Sequence, residues 1–296
     1  MTKRYNALRS TLILFVMAAG CLLGCAVPVR SEVAEPYVIH AEIENDGCIV
    51  ELYVNDIPVR RATADGQSFS SFPVNQFLIS GDNELAILVQ PGPTPQAARS
   101  SPVQAEPCAV TSRLVKYPEG VFPSDPSGQL LIEIAWQRED GNQFPARREA
   151  VVSLGGMFGR WKWQDADVLT ESDLGDPQLQ RFVRDLQEAF ASNRWQHIAE
   201  LSQIRYVEGA AAYVGRDAAR VSAMFVKSME RQSSGSDWNV GPQPPLGLRL
   251  CANGRMIQLI SDDWLPLLRT EDLEYGEPFT LPVLVSRIEG KYLIVR

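Results

Sequence analysis

The chain has 296 residues, with 28 Lys and Arg against 36 Asp and Glu, so its formal net charge at pH 7 is −8. This acidic balance argues against nucleic acids and other acidic polymers as partners, because those need basic surfaces. The length and a hydrophobic content of 45% are sufficient for two ordinary domains with real cores.

The N-terminus has the composition of an export signal. Lys3, Arg4 and Arg9 come without any acid and lead into an apolar run over residues 11–20, which is the usual order of charged and apolar regions in such signals. The run is too short to remain in a bilayer as a spanning helix. It is followed by Leu22-Leu23-Gly24-Cys25.

These four residues resemble the lipobox of bacterial lipoproteins, in which aliphatic residues and a small residue precede an obligatory cysteine. The resemblance implies that residues 1–24 are removed and that Cys25 carries diacylglycerol and, on its new amine, a further acyl chain such as palmitate. Several acyl chains anchor a protein stably where one does not. An ordinary secretory signal with incidental cysteines is the alternative interpretation.

The resemblance also gives an expected location. Ala26 follows the cysteine, and in a Gram-negative host a residue other than Asp there implies release to the outer membrane, on its periplasmic side. Cleavage would leave 25 basic and 36 acidic residues, a net charge of −11. The lipid rather than the protein surface is therefore expected to contact the membrane. Residues 25–36 are predicted to form a lipidated tether.

A strand-rich region follows the tether. Six segments are rich in β-branched or aromatic residues and are separated by turn-forming residues: 37–43, 48–54, 84–89, 108–115, 129–136 and 160–168. Such strands without intervening helices predict an all-β sandwich over residues 37–169. Residues 91–107 and 118–127 are expected to be long polar loops.

Within this region, Asn55-Asp56 and Gly81-Asp82-Asn83 resemble the turn and strand-entry motifs of a galactose-binding-type β-sandwich. Asp56 stands where that family usually has Gly. The resemblance implies carbohydrate binding. The same residues also suit the turns of any sandwich, because Asn, Asp and Gly tolerate left-handed conformations.

The cysteines suggest one disulfide. Cys48 and Cys108 both fall in strand-like segments, and an oxidising envelope compartment would pair them. Closing a loop of about 60 residues would stabilise the sandwich by up to ~4 kcal/mol. Cys251 lies in an alternating strand pattern, which predicts a buried and unreactive thiol rather than a nucleophile.

Helices are predicted only in the second half. Asp176 is a good N-cap, Pro177 suits the first helical position, and apolar residues recur at helical spacing over 179–190. Further helices are expected over 195–204 and 207–213 and after Asp217. Hairpins are then expected around Asn253-Gly254 and Glu289-Gly290. Helices before an antiparallel sheet predict an α+β domain over residues 170–296, and a two-domain α+β chain as a whole.

This order of elements resembles the cystatin-like or ketosteroid-isomerase-like cone, in which a curved sheet wraps helices around a pocket. The resemblance implies such a pocket. No catalytic role is transferred, because no motif matches the isomerase's aspartate and tyrosine position by position.

Residues with catalytic chemistry are scarce. His40 and His197 are the only histidines, so no metal or cofactor is expected and most nucleophilic relays lack a base. Two carboxylate pairs, Asp165 with Asp167 and Asp262 with Asp263, could act as acid and base or bind calcium, but they also suit a strand end and a turn. Candidate ligand contacts are the aromatic residues near the junction of the two halves, for which packing is the alternative: Trp161, Trp163, Trp195, Tyr206 and Tyr213.

Two functional hypotheses follow. The first is a lipid-anchored envelope protein that acts as a non-catalytic binding or accessory module for a protein or glycan partner, with no role in binding nucleic acids. The second is a hydrolase or isomerase that acts on envelope material in the C-terminal cone, with Tyr206 or Tyr213 assisting a carboxylate. Convergent ionisable residues in the cone would favour the second, and an apolar interior would favour the first.

Overall fold

The computed structural model describes residues 36–62, 67–89, 108–123, 125–139, 144–235, 238–242, 244–271 and 278–296. The predicted signal peptide, Cys25, the tether up to residue 35 and the predicted loop over 91–107 lie outside these residues. The chain from Pro36 to Arg296 forms one compact unit.

The first half is a sandwich of two antiparallel four-stranded sheets, as predicted. Its strands are β1 Tyr37–Asp46, β2 Val50–Val54, β3 Ile57–Ala62, β4 Gln67–Pro73, β5 Asp82–Val89, β6 Ala109–Pro118, β7 Gln129–Gln137 and β8 Ala146–Ser153. One sheet has the order β4-β1-β6-β7 and the other has the order β3-β2-β5-β8. Consecutive strands β3 and β4 are therefore edge strands of different sheets.

The sandwich core follows from strand alternation. Ile39, Ala41 and Ile43 on β1 are buried and pack in the same apolar cluster as Leu52 of β2 and Ile87 of β5. Successive side chains of a strand point to opposite faces, so every second residue of β1 contributes to the core. Burial of these side chains is the main stabilising contribution to the sandwich.

The predicted Asn55-Asp56 turn closes the β2–β3 hairpin. Both residues have positive φ, at 53° and 60°, as the favoured two-residue hairpin turn requires. Asn55 Nδ2 donates to Asn83 Oδ1 at 2.8 Å and to the carbonyl of Phe77 at 2.9 Å. Gly81 adopts a φ of 103°, whereas Asn83 lies within β5.

Four α-helices follow: α1 Pro177–Ala191, α2 Trp195–Leu201, α3 Gln203–Ala211 and α4 Ala218–Ser233. The two predicted N-caps are confirmed. Asp176 accepts from Gln178 N at 2.8 Å, and Asp217 accepts from Arg220 N at 2.7 Å. Each carboxylate satisfies a backbone donor that the first helical turn leaves without a partner.

The C-terminal antiparallel sheet has the order β9-β10-β13-β14, formed by Leu246–Cys251, Met256–Ser261, Val283–Ile288 and Lys291–Ile294. A two-stranded sheet of β11 Leu268–Arg269 and β12 Thr280–Leu281 lies beside it in sequence. Both predicted hairpins form, with positive φ at Asn253-Gly254 and at Glu289-Gly290. Helices followed by a sheet confirm the predicted α+β class.

Several elements differ from prediction. Residues 160–168 do not form a strand; a 3-10 helix spans Lys162–Asp165. The aromatic composition of this segment reflects burial at the junction, because Trp161 and Trp163 are only 4% and 5% exposed. Strands β3, β4 and β8 were not among the predicted strands. Pro58 and Pro73 obscured β3 and β4, and proline is tolerated in edge strands because one side of such a strand needs no ladder hydrogen bond.

The two halves are joined by polar and apolar contacts. The tip of the β2–β3 hairpin meets the β9–β10 turn, where Asp56 O and Oδ2 accept from Ala252 N at 3.1 Å and Asn253 N at 2.8 Å. Asn75 Nδ2 donates to Ala212 O at 3.0 Å. An apolar cluster that includes Ile57 of β3 and Leu284 of β13 lies between the halves. The walls of any cleft at this junction are therefore held in place by both halves.

Candidate functional site

A cleft of about 660 Å³ lies at this junction. Residues 58–60 of β3 and 69–73 of β4 line one side, and residues 258–260 of β10 and 282–284 at the start of β13 line the other. Its size falls within the range of ordinary ligand pockets, and junctions between structural units are a common place for them. We call it the junction cleft.

The charged side chains of the junction cleft are all arginines. Arg60, Arg205 and Arg296 line it, and no carboxylate side chain is among the described lining residues. Arg60 lies on β3, Arg205 on α3 and Arg296 after β14. Arg60 and Arg205 favour a positive potential at the cleft, whereas Arg296 contributes less because Glu208 pairs with it.

Arg296 is held by partners from both halves. Its side chain is 3% exposed, and Nη1 pairs with Glu208 Oε2 at 2.5 Å. Its Nε donates to the carbonyl of Gln76 at 2.9 Å, whereas Nη2 has no hydrogen-bond partner among the described residues. Burial lowers the pKa of Arg296. This guanidinium is fixed in position and retains unused hydrogen-bonding capacity.

Arg60 and Arg205 have no carboxylate partner among the described residues. Arg60 is exposed. Arg205 is half-buried; its Nη1 donates to Pro282 O at 3.3 Å, and desolvation lowers its pKa. A partly buried charge without a counterion is unfavourable, and a bound anion would offset that cost.

Trp264 closes part of the cleft wall between two further arginines. The guanidinium of Arg61 lies 4.5 Å from its ring centroid and that of Arg249 lies 4.7 Å from it. Arg249 also pairs with buried Glu51, at 2.8 Å for Nη1 to Oε2. Trp264 is 7% exposed, so the two guanidinium groups cover its ring and little of it is open to solvent.

The aromatic residues predicted to contact a ligand are all buried: Trp161, Trp163, Trp195, Tyr206 and Tyr213. Three of them, Trp161, Trp163 and Tyr213, share the apolar cluster between the halves. The indole of Trp161 donates to Leu78 O at 2.6 Å. Trp195 packs edge-on against Phe190, and Tyr206 lies against Phe225. The structure thus brings three of the five residues together but not all of them to one site, and their ligand contacts stay a prediction.

The interior of the C-terminal region is packed with apolar side chains. Leu179, Val183 and Leu186 on α1 lie in one buried cluster with Ile257 and Val285 of the sheet. Tyr213 is directed to Gln76 of the sandwich, with which its hydroxyl forms a hydrogen bond. The buried members of this cluster are all apolar or aromatic.

The predicted carboxylate pairs do not act as pairs. Asp165 binds Arg160 and Asp167 binds Arg287, at 2.5 and 2.7 Å. Asp263 binds Arg269 at 2.8 Å. Across the described part of the chain, no group of three or more His, Cys, Asp or Glu side chains is arranged to hold a metal ion.

Both histidines have structural contacts. His40 Nδ1 lies 3.0 Å from Ser71 Oγ, and burial lowers the pKa of His40. His197 Nε2 lies 2.7 Å from Asp185 Oδ2. Ser71 lines the junction cleft, so His40 supports the β4 wall from the neighbouring strand.

Cys48 and Cys108 are both buried, and the structure has them as free thiols. Burial raises the pKa of Cys48, and a hydrogen bond to the side chain of Cys108 raises it further. The two thiols are therefore neighbours. Cys251 is buried and free, and burial raises its pKa as well. A raised pKa reduces the thiolate fraction, which is the reactive form.

No family model matches this chain, and neither a curated protein nor a solved structure is significantly similar to it. Among the described helices, none has the length and apolar character needed to cross a membrane.

Sequence patterns did not reveal the junction cleft. Its arginines are separated by up to 236 positions, from Arg60 to Arg296, and only the tertiary fold brings them together. The one local indication of a basic site is the Arg60-Arg61 pair after Pro58, on a segment whose proline hides its strand character.

Proposed function

We propose that this chain is a membrane-anchored envelope lipoprotein that acts as a non-catalytic binding module, with the junction cleft as the site for an anionic protein or glycan partner. One observation carries the proposal. Arg60, Arg205 and Arg296 line the cleft, and no described carboxylate side chain does, although the chain as a whole is acidic. Arginine is well suited to carboxylates and phosphates, because its planar donors can bind them in pairs.

The proposed anchor is the lipid on Cys25. Acylation there would hold the folded unit near the membrane on a tether of about ten residues, whose reach is at most ~35 Å. The partner would then have to come within that distance, at the periplasmic side of the outer membrane in a Gram-negative host. The export signal and lipobox in the sequence support this part of the proposal.

Cys25→Ala is the test of the anchor. The variant should stay unprocessed or be released from membranes, because no thiol remains to be acylated. Fractionation and mass spectrometry of the N-terminal peptide measure this, with Cys21→Ala as the matched control that should leave anchoring intact. Firm membrane attachment and normal processing of Cys25→Ala would contradict the anchor without affecting the cleft.

In the same compartment, we propose that Cys48 and Cys108 are oxidised to a disulfide. Their adjacent, buried positions support the pairing, and the bridge would join the segments just after β1 and just before β6. Peptide mapping without reductant would find the linked pair in protein from the envelope. Two free thiols there would contradict it.

The family resemblances belong to the same proposal. The hydrogen bond between Asn55 and Asn83 is consistent with the galactose-binding-type turn, although it serves to close the hairpin. Helices packed on one antiparallel sheet are compatible with a cone. We base the binding role on the arginines rather than on either resemblance.

The cleft is tested by calorimetry, in which the compact unit, residues 36–296, is titrated with polyglutamate, heparin oligosaccharides and neutral dextran. At least one anionic probe should bind, and the double variant Arg60→Glu with Arg205→Gln should weaken it at least about tenfold, or about 1.4 kcal/mol. Raising the salt concentration should weaken binding too.

Arg148→Glu is the matched control. Arg148 is an exposed arginine on β8, at the opposite edge of the sheet that contains β3, and the variant carries the same charge change as Arg60→Glu. Equal losses in Arg148→Glu and in Arg60→Glu alone would show a general charge effect. That result, or binding of dextran as strong as that of the anions, would overturn the proposed function.

A further inference from the structure

Two open strand edges face the junction cleft. Strands β3 and β4 end their respective sheets, and five consecutive residues of β4, 69–73, line the cleft. Successive side chains of a strand point to opposite faces of its sheet. A cavity lined by five consecutive residues therefore lies along the edge of the strand rather than on one face of the sheet. The cleft therefore presents the backbone of β4.

The outer side of this edge has no backbone partner in the described structure. β4 pairs with β1 from Gln67 to Pro73, and no other backbone hydrogen bond of residues 67–73 occurs among the described residues. An unpaired edge exposes donors and acceptors in the geometry that an added strand would use. The lining part of β3 is less suitable, because it has three residues of which Pro58 lacks an N–H, whereas the lining part of β4 has four residues before Pro73.

The cleft walls do not favour a sugar. Recognition of saccharides by aromatic residues uses an open ring face, but Trp264 is only 7% exposed and has the guanidinium groups of Arg61 and Arg249 over its ring. The remaining aromatic lining residues on this side are Phe69, Phe72 and Phe77, which suit apolar side chains. Phe69 is 48% exposed and the other two are half-buried.

We propose that the partner is a protein that inserts an extended acidic segment into the junction cleft as an additional strand on the β4 edge, with its carboxylates directed to Arg60 and Arg205. This inference rests on the proposed binding function and specifies its partner. A peptide that alternates acidic and apolar residues would direct its carboxylates to one side and its apolar side chains to the other. Backbone hydrogen bonds would provide affinity, and the arginines and phenylalanines would provide selectivity.

Binding is measured with an array of short peptides that alternate Asp or Glu with Val, Ile, Leu, Phe or Thr. Matched arrays carry Lys in place of the acids, and a third arm uses heparin oligosaccharides. The acidic peptides should bind at least about tenfold more tightly than their lysine counterparts. Arg60→Glu should reduce that preference, and Arg148→Glu should not.

Strand addition itself is tested with N-methylated peptides. Methylation of alternate backbone nitrogens removes donors along one edge while the carboxylates stay, so binding of one methylated series should fall at least about tenfold. Hydrogen exchange should show slower exchange at the amides of Phe69 and Ser71, whose N–H groups point away from β1, when the unmethylated peptide is bound. The amides of edge strand β8 should be unchanged.

The outcomes separate the two proposals. If heparin oligosaccharides bind in the cleft and no acidic peptide does, the anionic binding function stands and the strand-addition inference is overturned. Equal binding of both methylated series and the unmethylated peptides also overturns it, because the anion alone then accounts for affinity. If no anionic probe binds, both proposals fail.

Discussion

Asp263 illustrates how a single carboxylate is stabilised in its charged form. Burial alone would raise its pKa, but hydrogen bonds from Arg269, from Ser261 and from the backbone of Leu265 outweigh burial and lower the pKa to about 2. The ordinary value is 3.8. The folded state therefore binds this proton more weakly than the unfolded state does.

The sign of the effect follows directly. A lowered folded-state pKa contributes stability that is fully present above pH 3.8 and is lost as the pH falls toward about 2. We expect Asp263→Asn to unfold more easily than the wild type at pH 7, by about 1 kcal/mol or less because the side chain is 45% exposed. The difference should shrink toward pH 2. Urea unfolding at both pH values measures it, and a constant difference would contradict the assignment.

At the scale of elements, the two long helices offer a matched pair of N-caps. Asp217 caps α4 through Arg220 N alone, whereas Asp176 caps α1 through Gln178 N and also accepts from Tyr292 of β14 at 2.8 Å. The second contact ties the start of α1 to the sheet.

We expect Asp217→Ala to cost about 1 kcal/mol, the usual value of a cap. Asp176→Ala should cost about 1 kcal/mol more, because the hydroxyl of Tyr292 also loses its partner. Thermal or urea unfolding of the two variants measures the difference. Equal losses would show that the contact between Asp176 and Tyr292 contributes little.

Local signals explain which elements could be predicted. The caps at Asp176 and Asp217 and the turns at Asn55-Asp56 and Asn253-Gly254 depend on neighbouring residues, and all were predicted correctly. The prediction of a strand over 160–168 was wrong, because the buried aromatic residues Trp161 and Trp163 give this segment a composition typical of strands. Edge strands β3 and β4 carry prolines and polar residues, so their composition resembles a loop.

Long-range signals are absent from a single sequence. The pairs Glu51–Arg249 and Glu208–Arg296 join residues 198 and 88 positions apart, and nothing in the spacing of those residues indicates contact. The junction cleft depends on such pairs. The fold class could therefore be predicted, whereas the candidate site required the tertiary structure.

At the scale of the whole molecule, the sandwich and the helical region share a buried boundary. Asn75 is 2% exposed, and its side chain accepts from Ile39 N at 2.7 Å while it donates to Ala212 O at 3.0 Å. One amide thus connects β1 to the residue that follows α3. Such shared contacts make separate unfolding of the two halves unfavourable.

We expect one cooperative unfolding transition for residues 36–296, with tryptophan fluorescence and far-UV circular dichroism giving the same midpoint. Asn75→Ala should lower both midpoints together, by roughly 2 kcal/mol in stability, because it leaves buried backbone groups without partners. Two separated transitions in the wild type would show that the halves unfold independently.

The open edge of β3, on which Arg60 lies, also has a consequence for association between copies of this chain. An unpaired strand edge is a template on which a second copy of the chain can add its own edge strand. Two copies that met through β3 would bring like-charged Arg60 side chains together, and these side chains would repel each other. Salt at physiological ionic strength screens this repulsion beyond about 8 Å. We therefore expect Arg60 to oppose such pairing between copies, and concentrated salt should promote their self-association.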